Sequence, residues 1–366
     1  MSRPEPLAPG ATIGILGGGQ LGRMLVLAAA RLGLRCHVLS PDPDSPAFDV
    51  AAVRTVADYN DERALDAFGR AVDAVTYEFE NVPVAAAERL AQIVPVRPRA
   101  DALAVAQDRL AEKQFLQRQG IAVADFAAVS SLEELRDAVD HIGLPAVLKT
   151  RRYGYDGKGQ ARIHRPEEVE PALAALAGAP AVLEAFVAFS REVSVVAARG
   201  LGGEVAAYDP AENEHRAGIL HTSRVPACIR PDTAARAAET VRTVLTALDY
   251  VGVVGVEFFV VEEGGGERLL VNEVAPRVHN SGHWTEDACA VPQFENHVRA
   301  VAGWPLGPAE RHCDVVMTNL IGADVDDWRR LAVDPTARLH LYGKRETRPG
   351  RKMGHLNRLR PLGSAE

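Results

Sequence analysis

Along the first hundred residues, short apolar runs alternate with stretches whose apolar positions recur at helical spacing. ATIGILG (11–17) reads as a buried strand, QLGRMLVLAAARLGL (20–34) as an amphipathic helix, and RCHVLSPD (35–42) as a second strand ending at a proline-rich turn. ADYNDERALDAFGRAV carries the next helix and AVTYEFENVP (74–83) the next strand. Strand–helix–strand order of this kind predicts a parallel, doubly wound sheet. The pattern changes near residue 100. ADALAVAQDRLAEKQFLQRQG predicts one helix ending at Gly120, LPAVLKT (144–150) a strand, and QARIH (160–164) the strand that follows a glycine-rich loop. AVLEAFV, REVSVVAARG and EVAAYD read as sheet, PDTAARAAETVRTVLTALDY as a long helix, and VGVEFFVVEEGGGERLLVNEVAP as a hairpin. From Trp304 the pattern is mixed and runs into a basic loop, GKRETRPGRKMGH; no internal repeat or low-complexity tract interrupts it.

At 366 residues the chain is too long for one ordinary core and suits two or three domains. A net charge of −8 argues against non-specific nucleic-acid binding, which needs an excess of Lys and Arg facing phosphate. No apolar run is long enough to span a membrane, and MSRPEPLAPG lacks the apolar core of a signal peptide. Cys36, Cys228, Cys289 and Cys313 have neither metal nor redox spacing and read as buried free thiols in a reducing cytoplasm.

Four segments carry candidate chemistry. In GGGQLG, Gly17, Gly19 and Gly22 satisfy G-x-G-x-x-G between a strand and a helix, and Asp42 lies where a ribose-binding acid would be. Three readings stay open there: a dinucleotide site, a tight turn only, or another phosphate at the helix N-terminus. KTRRYGYDGKGQ (149–160) looks like a phosphate loop, yet Gly159 follows Lys158 where a P-loop needs Ser or Thr. Lys149 at a strand end beside that loop could put one cation on a nucleotide phosphate while backbone N–H groups close over the others; the alternative is a surface hairpin tip. In the hairpin, Glu257 and Glu273 are equidistant from Gly265. A turn centred on Gly265 without a bulge sets the two carboxylates opposite each other, with Cβ atoms about 5 Å apart. Unrelieved, they repel by roughly 3 kcal/mol at an effective dielectric near 20. A divalent cation reverses that sign, and Mg²⁺ suits carboxylates plus substrate phosphates; the alternative is an exposed edge with one glutamate protonated or paired to arginine. Last, APRVHNSGHWT (275–285) crowds Arg277, His279, Asn280, Ser281 and His283 into one irregular segment, either a polar substrate pocket or a structural loop. Ser281 and Gly282 between the histidines argue against a helical zinc pair.

Together GGGQLGRM, YEFENVP, RRYGYDGKGQ, GILHTSRVPA, NEVAPRVHNSGHWT and RPGRKMGHLN resemble the N5-carboxyaminoimidazole ribonucleotide synthetases, ATP-grasp enzymes of purine synthesis that carboxylate aminoimidazole ribonucleotide. The motifs span residues 17 to 357, nearly the whole chain. The resemblance implies an α/β fold, α+β in its later parts, with an ATP-grasp unit behind a doubly wound parallel-sheet N-terminal domain. It implies three units: 1–106, 107–188 carrying the lid, and 189–366 carrying the metal site and a C-terminal substrate segment. It implies ATP and Mg²⁺ as cofactors, bicarbonate and the ribonucleotide as substrates, a cytoplasmic homodimer, and no NAD at the glycine turn.

Residue roles follow from the same resemblance. Arg109 and Lys149 would contact ATP phosphates under a lid of Gly154, Tyr155, Asp156, Gly157, Lys158, Gly159 and Gln160. Glu184, Ala185, Phe186 and Val187 would line the adenine, with Glu192 on the ribose and His215 and Asn272 as further contacts. Glu257 and Glu273 would hold Mg²⁺. Gly19, Gln20, Leu21, Glu78, Glu80, Tyr155, Asp156, Arg277, His279, Asn280, Ser281, Lys344 and Arg351 would shape the ribonucleotide site, with Lys344 and Arg351 on its 5′-phosphate. Arg277, Lys149 and His279 are the catalytic candidates. Many ATP-grasp enzymes have a metal-ligating asparagine two residues past the second carboxylate; here Ala275 stands there, so the resemblance leaves the number of protein ligands to a second Mg²⁺ open. Three rivals remain: a formate-dependent glycinamide ribonucleotide transformylase, an NAD-dependent oxidoreductase resting on GGGQLG and Asp42, and a non-catalytic nucleotide sensor.

Overall fold

The computed structural model describes residues 5–154 and 158–364. The first sheet holds β1 (Thr12–Leu16), β2 (Arg35–Ser40), β3 (Val53–Val56) and β4 (Ala74–Tyr77), parallel and ordered β3-β2-β1-β4. Helices α1 (Gln20–Arg31), α2 (Glu62–Arg70) and α3 (Val84–Ala91) cover it. Alternation along β1 sends Ile13 and Ile15 into one core and Leu16 into another, which is the two-sided burial of a doubly wound sheet. β3 is mostly exposed and carries no apolar signal in the sequence. The expected strand 74–83 stops at Tyr77, because Glu78 leaves the sheet to fill the glycine turn.

The single helix expected up to Gly120 is two, α4 (Ala100–Ala106) and α5 (Arg109–Arg118). Asp108 breaks it. Its carboxylate accepts the N–H groups of Leu110 and Ala111, capping α5, and pairs with Arg151 at 2.7 Å. The Arg109 N–H also donates to the Arg151 carbonyl at 2.9 Å, which ties the start of α5 to the strand carrying Lys149. A small antiparallel sheet follows: β5 (Phe126–Val129), β6 (Ala146–Thr150), β7 (Gln160–Ile163) and β8 (Ala181–Ala185), ordered β5-β8-β6-β7. With α6 (Leu132–Ile142) and α7 (Val169–Ala175) it has a core of its own.

The large antiparallel sheet comprises β9 (Arg191–Arg199), β10 (Val205–Ala207), β11 (Ala211–Arg216), β12 (Ile219–Val225), β13 (Gly252–Glu263), β14 (Gly266–Ala275), β15 (Asp314–Ile321), β16 (Ala337–Leu341) and β17 (Lys352–Arg360). Its order is β14-β13-β9-β11-β12-β15-β17-β16, with β10 on β9. Helices α8 (Pro231–Ala247), α9 (Thr285–Ala288), α10 (Gln293–Ala302) and α11 (Trp328–Ala332) complete the chain. α1 packs on α10, and one core runs from Ile13 and Leu25 through Phe294 to Trp284 and Tyr342. The first and last parts of the chain therefore share a core. Among the described residues no helix is long and apolar enough to cross a membrane. Cys36, Cys289 and Cys313 are buried free thiols, but Cys228 is exposed.

Glu286, in the first turn of α9, has a buried Oε1 with no hydrogen-bond partner among the described residues. Burial pushes its carboxyl up to about 7 from 4.5. The native state keeps a proton that the unfolded chain releases, so this contribution to stability is complete below pH 4.5 and is lost as pH rises through 7. Glu286→Gln removes the loss. Calorimetry should show the variant melting about 2–4 °C above the parent at pH 8 and level with it at pH 4; equal melting at pH 8 would disprove the account.

Candidate active site

All three sheets open onto one cavity of about 1220 Å³. Gly19, Gln20, Leu21, Glu78 and Glu80 reach it from the first sheet's side. Arg109, Lys149, Gly154, Lys158, Gln160, Glu184, Ala185, Phe186 and Val187 reach it from the small sheet and α5. Glu192, His215, Glu257, Asn272, Glu273, Arg277, His279, Asn280, Lys344 and Arg351 come from the large sheet and its loops. Gly159 and Ser281 do not line it. Tyr155, Asp156 and Gly157 lie outside the described residues.

The glycine turn has an occupant from the chain itself. Glu78 accepts the N–H groups of Gly19 at 2.9 Å and Gly22 at 3.1 Å, so the N-terminus of α1 already faces a carboxylate. At Gly17, with φ +107, a Cβ would meet Glu78 Cγ at 2.5 Å; at Gly18 it would meet Ser45 Oγ at 2.3 Å. Glycine is required here to admit Glu78, and the positions a dinucleotide pyrophosphate would take are filled. Asp42, the ribose acid of that reading, caps its own turn, accepting from the Asp44 N–H.

Around Lys149 the structure adds a residue that the sequence left unmarked. The buried Glu184 carboxylate takes Lys149 Nζ at 2.9 Å and Lys113 Nζ at 3.1 Å. Lys113 is one helical turn beyond Arg109 on α5, a spacing that puts both on one face. Burial raises the Glu184 carboxyl, but Lys149, Lys113 and Arg109 outweigh it and hold it at about 2. Burial lowers the Lys149 ammonium; Glu184 opposes this, while Arg109 and Lys113 add to it. Two lysines share one buried carboxylate and the Arg109 charge also acts on it, so the end of β6 is electropositive and suited to a polyphosphate. Beyond it the wall turns apolar: Phe189 stacks on Phe259 at 4.7 Å, and Phe186 lies under the Arg162 guanidinium at 5.6 Å. Glu192 and His215, on adjacent strands, pair at 2.9 Å.

Glu257 and Glu273 are directly opposed. The turn that brings them together differs from the expected one. Gly264 and Gly265 alone form it, both with positive φ, so its centre falls between them and not on Gly265. A bulge opposite Glu257 and Phe258 inserts Asn272 and restores the pairing. The bulge has a second effect. Neighbouring strand residues normally face opposite sides, but here Asn272 and Glu273 both line the cavity. The Asn272 Oδ1 is buried without a partner among the described residues. Burial, then the Glu273 charge, pushes the Glu257 carboxyl up to about 7. One ligand atom each from Glu257, Glu273 and His279 lies within 4.8 Å of the others. Two carboxylates in mutual repulsion beside an unpartnered amide oxygen form an oxygen donor set that fits Mg²⁺. Arg109 reaches Glu273 at 3.4 Å. Of the alternatives read from the sequence, the arginine partner is present as Arg109, but both carboxylates line the cavity.

At the far end Arg277 is paired with Glu80 and donates to the Val278 carbonyl at 3.1 Å. Asn280 and Asn319 exchange amide hydrogen bonds at 3.0 and 2.8 Å. Lys344 and Arg351 reach the cavity together with Arg348 and Lys352, two cations the sequence reading did not single out although RPGRKMGHLN contains them. Lys344 Nζ donates to the Lys352 carbonyl at 2.6 Å and Arg351 to the Glu346 carbonyl at 2.8 Å, which folds the basic loop toward the cavity. His283 packs its ring at a tilt against His355 and Phe294, and the cluster of possible metal ligands among the described residues takes in His279 but not His283.

A lysine at a strand end, a carboxylate pair on neighbouring antiparallel strands and a small sheet facing a large one define an ATP-grasp protein. Sequence comparison agrees: an ATP-grasp domain matches residues 114–294, a ribonucleotide synthetase preATP-grasp domain residues 10–107, and a phosphoribosylaminoimidazole carboxylase C-terminal domain residues 315–361. The N5-carboxyaminoimidazole ribonucleotide synthase of Brucella melitensis is 54% identical over 357 residues, covering 97% of this chain and 98% of its own. The crystal structure of the Thermus thermophilus synthetase superposes with a TM-score of 0.88 at 47% identity, covering 95% and 93% of the two chains. The Aspergillus clavatus synthase, solved with ADP and 5-aminoimidazole ribonucleotide, superposes at 0.90 with 31% identity, covering 97% and 95%. The chain belongs to the N5-carboxyaminoimidazole ribonucleotide synthase family.

Proposed function

We propose that this cavity carries out the ATP-dependent carboxylation of 5-aminoimidazole ribonucleotide with bicarbonate, dividing the work along its length. The observation that carries the proposal is the placement of two cation-rich ends about one carboxylate pair. Arg109 and Lys149 face one end, with Lys113 buried behind them on Glu184; Lys344, Arg348, Arg351 and Lys352 face the other. The reaction needs that arrangement, since a nucleoside triphosphate and a second nucleotide must meet with their reacting groups between them.

Phe186, Val187 and the Phe189–Phe259 stack suit the adenine, and Glu192 with His215 the ribose. Arg109 and Lys149 take the phosphates as Lys149 eases its hold on Glu184. Glu257 and Glu273, with Asn272, would hold Mg²⁺, which supplies charge neutralisation on the transferring phosphoryl group. Bicarbonate oxygen attacks the γ-phosphorus, the bond to ADP breaks, and carboxyphosphate forms. Arg277 spends two N–H groups on Glu80 and Val278 and has the rest for the bicarbonate anion. The 5-amino nitrogen then attacks the carboxyl carbon. A nitrogen–carbon bond forms, the carbon–oxygen bond to phosphate breaks, phosphate leaves with the electron pair, and the amine gives up a proton. Lys344 and Arg351, with Arg348 and Lys352, bind the 5′-phosphate. The lid loop, partly outside the described residues, would keep water from carboxyphosphate. A cytoplasmic location and a homodimer complete the reading on family likeness; light scattering tests the dimer.

The test is ADP release with ATP, Mg²⁺ and bicarbonate, with and without aminoimidazole ribonucleotide. A sharp rise with the ribonucleotide is expected. No rise beside a working control, with release restored by formate and glycinamide ribonucleotide, would transfer the chain to the transformylase reading.

A further inference from the structure

Behind the carboxylate pair runs a line of buried polar side chains to which the reaction above gives no task. His279 Nε2 lies 3.5 Å from Glu257 Oε1. Its Nδ1 lies 2.8 Å from Ser281 Oγ and receives the Ser281 backbone N–H at 3.4 Å. Ser281 Oγ is 2.6 Å from Ser194 Oγ, which is 2.9 Å from Asn213 Nδ2; Asn213 Oδ1 is 2.7 Å from Ser223 Oγ. Ser281, Ser194 and Ser223 are fully buried on three separate segments, so this contact is made by the fold and not by one loop.

The order of hydrogens along the line follows from one group that cannot reverse. A backbone N–H only donates, so Nδ1 presents a lone pair. The Ser281 hydroxyl then gives its hydrogen to Nδ1 and accepts from Ser194. Ser194, its hydrogen spent, accepts from the Asn213 amide N–H, and the amide oxygen left over accepts from Ser223. Each group then has a matching partner, whereas a hydrogen on Nδ1 would face the Ser281 backbone N–H, which has no lone pair to receive it. With Nδ1 accepting, the ring is neutral and its one hydrogen is on Nε2, facing Glu257. The backbone of His279 is clamped as well: the Gln293 side chain accepts its N–H at 2.8 Å and donates to its carbonyl at 2.7 Å. Gly255 leaves the room, since a Cβ there would meet His279 Cβ at 2.6 Å.

We infer that Ser281, Ser194, Asn213 and Ser223 are positioning residues that hold His279 as the Nε2–H tautomer, a hydrogen-bond donor into the site and not its base. Ser281, expected from the sequence to touch substrate, acts through His279. An Nε2–H in place steadies Glu257 and can meet the developing carboxylate oxygen, but it cannot receive the amine proton. That proton goes to another base, and the departing phosphate is the one the reaction itself supplies. The catalytic consequence rests on the carboxylase reading; the tautomer does not.

The test is ¹⁵N spectroscopy of the imidazoles in the full chain without ATP or metal, with His279 assigned by the signal lost in His279→Gln. The parent should show hydrogen on Nε2 alone. Ser281→Ala and Ser194→Ala should each give a mixture of tautomers, while Ser194→Thr, which keeps a hydroxyl, retains the order. In turnover, Ser281→Ala should lower kcat about tenfold with the KM for ATP within about twofold. A hydrogen on Nδ1 in the parent overturns the inference, as does an ordered Nε2–H persisting in both alanine variants. If Ser281→Ala fails to fold, Ser194→Ala and Ser223→Ala read the same line further from the ring. Failure of the carboxylase reading would appear separately, as absent ribonucleotide-dependent ADP release with the tautomer intact.

Discussion

Glu273→Gln is expected to lower kcat/KM by about 10²–10³-fold and to leave the melting temperature almost unchanged. The two effects separate because Glu273 has little structural work to do. Its ion pair with Arg109 is 3.4 Å long and its side chain is 36% exposed, a pairing of at most about 1 kcal/mol. Against that loss stands relief of the repulsion from Glu257, whose carboxyl the Glu273 charge helps to push up to about 7. Glutamine keeps the shape of the bulge and the Asn272 side chain beside it. What it removes is the negative charge that would hold the metal against the transferring phosphoryl group. Mg²⁺ titration of ADP release, beside calorimetry of the metal-free protein, checks both halves. An active Glu273→Gln enzyme with ordinary Mg²⁺ dependence would sink the metal assignment.

The second large effect is at Arg277. Arg277→Met should abolish ribonucleotide-dependent ADP release and destabilise the protein by roughly 2–3 kcal/mol. The figure is set below the 3–5 kcal/mol of a fully buried pair because Arg277 and Glu80 are 17% and 25% exposed at the cavity wall. Most of the cost comes from Glu80. Burial pushes that carboxyl up, the Arg277 guanidinium outweighs burial, and the net shift is downward. Without Arg277 the carboxylate must take up a proton or stay buried and unpaired. Adding Glu80→Gln should therefore restore most of the stability while activity stays lost. Recovery of activity in the double variant would show that Arg277 acts only as the partner of Glu80.

How much was legible before the fold differs from residue to residue, and for physical reasons. Glu257 and Glu273 could be paired from spacing alone because a hairpin is local: its register is set by a few turn residues and by alternation. Even so, the pairing rests on two departures that offset one another, a turn centred half a residue early and a bulge at Asn272. The glycine turn shows the opposite case. G-x-G-x-x-G records that something must approach the backbone closely, not what approaches. The occupant, Glu78, lies just past the end of β4, 56 residues beyond Gly22. Asp108 was hidden for a related reason. Helical periodicity continues through it, and its capping role shows only once Arg151 is found beside it.

The chain by itself determined the doubly wound start, the carboxylate hairpin, the strand-end lysine and the two motif segments that mark the family. These depend on periodicity, turn chemistry and residue type at short separation, where the backbone's own geometry links cause to position. Only the tertiary structure decided that Lys113 joins Lys149 on Glu184, that Glu80 holds Arg277, and that three serines and an asparagine order the hydrogens on His279. Those contacts join residues far apart in sequence, and burial gives them their strength by removing the water that would otherwise satisfy each group separately. A polar side chain in a sequence carries no sign of its partner until packing has brought the two together and dried the space between them.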